Sequence, residues 1–197
     1  MSNNIRIEVS QADLKFVLNK LNGMETKAPG VFRNAVNRTT TQTMRKIRKG
    51  RQAYVVSPGA FNAAMDVKRA NKTHMVSIIT AKDIPHGLKD TKFYKTSSSR
   101  KYGVRAKVLK GGLKELVNRN GAKAFYAGVD TGHVGVTHFD VFQRRGSERL
   151  PIKKLSGPGV AKMVKSIFKG KNGGEALEPY VLKTLHDEIA AEVAKLV

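Results

Sequence analysis

The chain has 197 residues, no cysteine and a formal net charge of +22, with 40% apolar and 26% charged residues. This suits one domain with a modest core, excludes disulfides and thiolate metal sites, and fits a reducing cytosol. No apolar run reaches the roughly 18 residues of a membrane span, and Met1-Ser-Asn-Asn-Ile-Arg6 does not read as a signal peptide.

The charge is uneven. Residues 175–197 hold five acids against Lys183 and Lys195, a balance of −3, so the first 174 residues carry +25. Repulsion at that density disfavours a compact monomer unless polyanions or acidic surfaces lie near. A nucleic-acid binder and a subunit packed on acidic neighbours both fit this pattern.

Ile5, Ile7 and Val9 alternate with polar residues and predict a short strand. Ser10 and Asp13 have capping-box spacing, and Leu14, Val17, Leu18 and Leu21 form one helical stripe ending near Gly23. Pro29 opens a longer helix to about Lys49, with Phe32, Val36, Thr40, Thr43 and Ile47 as its buried stripe. Gly50 ends it. Arg38, Arg45, Lys46, Arg48 and Lys49, continuing into Arg51, load its exposed side and are the predicted DNA- or partner-contacting residues. They can neutralise phosphates without reading bases, or form a solvated face.

Ser57-Pro58 starts a short helix predicted to run through Met65. A strand is expected around Met75–Ile79. Residues 82–102, with Pro85, Gly87 and three consecutive serines, read as a long, mobile basic loop. Residues 103–109, 124–129 and 134–142 read as strands, with a turn at Asp130-Thr131-Gly132. Val141 and Phe142 then enter a hairpin, Gly146-Ser147-Glu148 reverses it, and Leu150, Ile152 and Leu155 return to the core. Pro151 cannot donate a ladder hydrogen bond, so the returning strand should be an edge or start there. Arg144, Arg145 and Arg149 crowd the turn. Residues 160–168 read as helix, and Gly170, Gly173 and Gly174 as a linker. The last helix places Leu182, Leu185, Ile189, Val193 and Leu196 on one seam.

This order lacks βαβ alternation. The predicted fold is α+β: an antiparallel sheet with helices on one face, a long N-terminal basic helix and a C-terminal amphipathic helix. One domain is expected over residues 1–169, with 170–197 as a glycine linker and a helix packed on that domain or on a neighbour.

No arrangement points to catalysis. His133, His138 and Asp140 are close in sequence, but on a strand 138 and 140 share a face that 133 does not. Polar residues on a sheet surface account for them more simply than a metal site does. No Gly-x-Ser-x-Gly is present, and the glycine-rich stretches lack phosphate-loop spacing. No cofactor, metal or enzymatic activity is expected.

The stretch Val141-Phe-Gln-Arg-Arg-Gly-Ser-Glu-Arg-Leu-Pro-Ile-Lys-Lys-Leu-Ser-Gly-Pro158 closely resembles the signature of the prophage minor tail protein Z family. These are tail-completion proteins of long-tailed bacteriophages. Ala35-Val-Asn-Arg38, Met44-Arg-Lys46, Tyr54-Val-Val56, Ile84-Pro85, Gly103–Gly112, Ala124-Phe125 and Gly132–Val136 extend the likeness, in order, over roughly residues 30–165. Thr137-His-Phe-Asp140 departs from the family as an insertion, Lys123 replaces a small residue, and stretch 89–102 is less arginine-rich.

The resemblance implies a structural virion protein that completes the head-proximal end of the tail and enables head–tail joining near the DNA channel. It implies a sixfold ring of copies, contacts with tail-tube or tail-terminator and neck or connector proteins, and no membrane. It places the chain at the head–tail junction, and in host cytoplasm during assembly. Phe142, Arg144, Arg145, Gly146, Arg149, Pro151 and Ile152 form the expected assembly-interface motif. Non-specific contact with genomic DNA and docking on acidic proteins both remain open for the basic surface. The competing readings are a free-standing, sequence-independent nucleic-acid-binding protein and, more remotely, a nuclease using His133, His138 and Asp140.

Overall fold

A computed structural model describes residues 2–22, 24–130, 137–171 and 174–196. The chain is α+β, with helices and antiparallel sheets. It forms two compact units, one of them built from three separate stretches. The sequence reading instead has one domain through residue 169. The chain crosses between the units four times, the last of them directly after Gly157-Pro158-Gly159.

The first unit comprises residues 1–51, 63–83 and 160–197. Its strands β1 (Ser2–Glu8), β2 (Met65–Lys68) and β3 (Val76–Lys82) pair antiparallel in the order β1-β3-β2. Ile5 sits across from Ile79 and Ile7 across from Ser77, all four buried. Burial alternates along β3, so one face of the sheet is covered. Helices α2 (Ala28–Gly50) and α4 (Val160–Phe168) pack on this sheet, and α5 (Leu177–Val193) packs along α2.

Helix α1 (Gln11–Leu21) opens with the expected capping box. The Asp13 amide donates to Ser10 Oγ at 3.1 Å, and Ser10 N donates to the Asp13 carboxylate at 3.4 Å. Its stripe is narrower than expected, since Val17 and Leu21 are buried and Leu18 is exposed. All five predicted stripe residues of α2 are buried. Three of its threonines, Thr39, Thr40 and Thr43, are fully buried. Thr40 Oγ donates to the Val36 carbonyl at 2.7 Å, which is how a helical threonine satisfies its hydroxyl inside a core.

The second unit comprises residues 52–62 and 84–159. It holds most of the short helix α3 (Pro58–Ala63) and two three-stranded antiparallel sheets. One contains β4 (Lys95–Ser99), β5 (Gly103–Lys107) and β6 (Lys114–Glu115). The other contains β7 (Phe125–Asp130), β8 (Thr137–Arg144) and β9 (Ile152–Lys154). The predicted single sheet is therefore three sheets across the two units.

Several expectations need correction. The helix begun by Ser57-Pro58 stops at Ala63, two residues short of the expected end at Met65, where β2 begins. The predicted mobile loop 82–102 is anchored and contains β4. Leu88, Phe93 and Tyr94 are buried within it, Leu88 N donates to the Leu155 carbonyl, and Gly157 N donates to that of His86 at 3.0 Å. Its Pro, Gly and Ser content signals turns, but three apolar anchors outweigh that signal. Leu150 does not return to the core and is 67% exposed. The Thr131-Gly132 part of the predicted turn, strand residues 134–136 and the glycine at 173 lie outside the described residues.

Candidate functional site

Helix α5 decides how much of the α2 cationic face is available. The two run antiparallel: Tyr180 lies near Lys46, and Glu192 lies near Asn34 and Arg38. Arg38 reaches Glu192 at 2.7 Å and Glu188 at 3.5 Å. Asn34 Nδ2 donates to Glu192 at 2.9 Å, and Gln42 Nε2 donates to Glu188 at 2.6 Å. The Lys46 ammonium sits 4.6 Å from the Tyr180 ring centroid, a cation–π contact. Burial raises the Glu192 carboxyl, but the hydrogen bonds from Lys195 and Asn34 and the charge of Arg38 hold it below the usual carboxylate range.

The acids of α5 therefore neutralise part of the basic helix from within the same unit. The predicted seam shifts accordingly. Val181, Thr184, Leu185, Ile189, Glu192 and Val193 are buried, and Leu182 is 63% exposed. Periodicity alone supports both seams. The true one contains an acid, which a sequence pattern built on apolar residues passes over. Of the six predicted contact residues on this face, Arg45, Arg48 and Lys49 are exposed and make no ion pair with a described residue. Arg38 and Lys46 are engaged by α5, and Arg51 lies half-buried in a 3₁₀ turn after α2.

The arginine hairpin sits at the end of β8. Arg145 N donates to the Pro151 carbonyl at 3.1 Å, closing the turn, and Asn118 Nδ2 donates to the Arg144 carbonyl at 2.9 Å. The Leu150–Pro151 peptide is cis, and β9 starts just after Pro151 and lies at the edge of its sheet. Arg144, Arg145 and Arg149 are all exposed and make no ion pair with a described residue. Arg144, Gly146 and Ser147 border an open concavity of about 690 Å³ with Lys123 and Asn120. Phe142 does not share this exposure. It is buried and packs as core, and Ile152 is half-buried. The predicted interface motif thus divides into three projecting arginines with Gly146 and Pro151, and two apolar residues that hold the hairpin to its unit.

His138 and Asp140 share one face of β8, as expected. His133 lies outside the described residues. Asp140 is buried, and its carboxylate receives the Lys154 ammonium at 2.9 Å, Val141 N at 2.8 Å and Lys89 N at 3.3 Å. His138 Nε2 stands 3.5 Å from the same carboxylate. Gly87 faces it so closely that a Cβ there would meet Asp140 Oδ2 at 1.9 Å. Asp140 thereby fixes the turn at 87–89 against β8. Burial raises its carboxyl, and the Lys154 hydrogen bond, the two backbone amides and the Lys154 charge bring it below its ordinary value. Among the described residues, no group of three or more His, Asp or Glu side chains is placed to hold a metal ion. Also among them, no helix is long and apolar enough to cross a membrane.

Comparison with protein-family models, curated proteins and solved structures finds no match to this chain. Sequence reasoning missed the anchoring role of Asp140 and the pairing of Glu188 and Glu192 with α2. It also missed Gly157, where a Cβ would lie 2.4 Å from Tyr94 Cζ. No local signal existed for contacts so distant in sequence as Glu192 with Asn34.

Proposed function

We propose that this chain is a non-enzymatic assembly protein of a long-tailed bacteriophage. It completes the head-proximal end of the tail as a ring of copies and allows joining to the filled head through neck or connector proteins. Support for the family reading comes from the ordered resemblance across roughly residues 30–165. The observation that carries it to a site is the hairpin, with three exposed guanidinium groups around one turn and no ion pair from any of them to a described acid.

Three such groups repel one another, and arginine forms bidentate pairs with carboxylates and phosphates. An acceptor from outside the unit resolves the repulsion. In a cyclic ring the contact is heterologous, so the turn of one copy meets a different surface on the next or on a neck protein. The virion's head–tail junction is the proposed location, after assembly in the host cytoplasm.

The double variant Arg145→Ala, Arg149→Ala tests this. Both side chains are exposed, so stability should change by no more than about 0.5 kcal/mol. Infected cells carrying it should accumulate filled heads and separate tails, visible by electron microscopy, with loss of plaque formation. Full complementation of a deletion would show that the hairpin is only a solvated surface.

A further inference from the structure

We propose that the outer face of the β4–β5–β6 sheet binds the sugar–phosphate backbone of duplex DNA without reading its sequence. The register sets Lys95 directly across from Lys107, and Ser97 directly across from Arg105. Val104 and Ala106, the alternate residues of β5, are buried. Lys95, Ser97, Ser99, Arg105 and Lys107 therefore share the outer face. Like charges directly opposite each other destabilise a sheet, and neither Lys95 nor Lys107 makes an ion pair with a described residue.

More cations gather at the same place. The Arg105 guanidinium lies 5.1 Å from the Tyr102 ring centroid, and Lys101 Nζ lies 5.2 Å from it. Arg105 Nε is buried and has no hydrogen-bond partner among the described residues. Lys123 donates to the Lys101 carbonyl and adds its own charge. The register puts one acid on this face, Glu115 across from Arg105, and Lys123 engages it at 3.6 Å. The cluster is thus assembled against its own repulsion, with an anion from outside as the missing partner.

The side chains present select nucleic acid over an acidic protein. Arginine, lysine, serine and tyrosine are the residues that contact phosphate oxygens. The outward positions of β4 and β5 carry no aliphatic side chain to form the desolvated apolar centre of a protein interface. Along β5, Arg105 and Lys107 are about 6.8 Å apart, and Lys95 is about 5 Å across the ladder. A duplex offers one negative charge per roughly 1.7 Å of axis, enough to engage all three together. The charge itself is shared between the units. The second carries 16 Lys and Arg against 5 Asp and Glu, and the first 21 against 10, which is +11 each. Acids of α5 offset part of the α2 face, whereas on this sheet face one acid, Glu115, pairs with Lys123 and leaves Lys95 and Lys107 without an ion pair to a described residue. The inference goes beyond the head–tail function and does not depend on it.

The test measures binding of the full chain to a fluorescein-labelled, mixed-sequence DNA duplex across a salt series. Replacing Lys95, Arg105 and Lys107 by Gln should reduce the slope of log affinity against log salt by about 2.7, which is about 0.9 for each of three phosphates. Affinity near 0.1 M salt should fall roughly five-hundredfold, the same 2.7 log units taken over the decade below 1 M. Lys95→Glu turns the repelling pair into an attracting one, so it should hold or raise Tm while weakening DNA binding about tenfold or more. That combination cannot come from misfolding. Arg45→Gln with Arg48→Gln on α2 should keep the parent slope. A parent slope in the sheet triple variant would overturn the proposal. So would a parent chain that ignores DNA at low salt and binds polyglutamate instead, which would assign the face to an acidic protein.

Discussion

Asp140→Ala is expected to destabilise the second unit by about 2–4 kcal/mol. The carboxylate is buried and accepts from Lys154, Val141 N and Lys89 N. Removing it leaves two backbone donors without an acceptor at the join between β8 and the 87–89 turn. Thermal or urea unfolding of the purified chain reads the loss directly. Asp140→Asn should cost less, since its oxygen still accepts from an amide. The pH dependence has a fixed sign. The folded carboxyl titrates below its ordinary value, so its contribution is complete above that value and disappears as the pH falls through the lower, folded one. The Asn variant should therefore lose less stability than the parent on acidification below about pH 4. A nuclease using Asp140 would behave differently, keeping its stability in the Ala variant while losing phosphodiester cleavage. Parent-like unfolding of Asp140→Ala would remove the anchoring role.

Gly157→Ala should be the second large effect. A Cβ at this position would stand 2.4 Å from Cζ, 2.6 Å from Cε1 and 2.7 Å from the hydroxyl oxygen of Tyr94. Tyr94 is 1% exposed, and its hydroxyl donates to the Pro158 carbonyl at 2.9 Å. It has no room to retreat without breaking that bond. Overpacking of this kind costs about 1–3 kcal/mol, and the lost hydrogen bond about 1 more. Chemical denaturation should show the midpoint falling at constant m. An unchanged midpoint would mean that the segment after β9 is free to shift. The glycine and proline that close the hairpin signature thus have a packing role, holding the 155–157 stretch against the segment that carries Tyr94.

These two residues also show what the sequence could and could not reveal. The capping box at Ser10 and Asp13, the buried stripe of α2 and the bounds of α4 were legible because each depends on neighbours within a turn or two. The α+β class was legible from the order of such elements. Asp140 appeared as one polar residue in a strand, and its three partners come from residues 89, 141 and 154. Gly157 appeared only as part of the signature stretch, because no pattern reports that a tyrosine 63 positions earlier would lie against it. The seam of α5 failed for a related reason. Glu192 reads as a solvent position until Arg38 and Asn34 arrive from α2 to satisfy it. Likewise the repelling pair Lys95 and Lys107 exists only through the β4–β5 register, which brings the predicted strand at 103–109 against a stretch whose composition suggested a loop. The three hairpin arginines were legible as a cluster because they crowd one turn, but their exposure, unlike that of Phe142, was not.

The head–tail reading is tested most directly by a reconstruction of the phage neck from purified virions. The expected result is a closed ring of this chain at the head-proximal end of the tail, with Arg144, Arg145 and Arg149 within ion-pair distance of acids on an adjacent copy or neck protein. Absence of the chain from purified, infectious particles would contradict it.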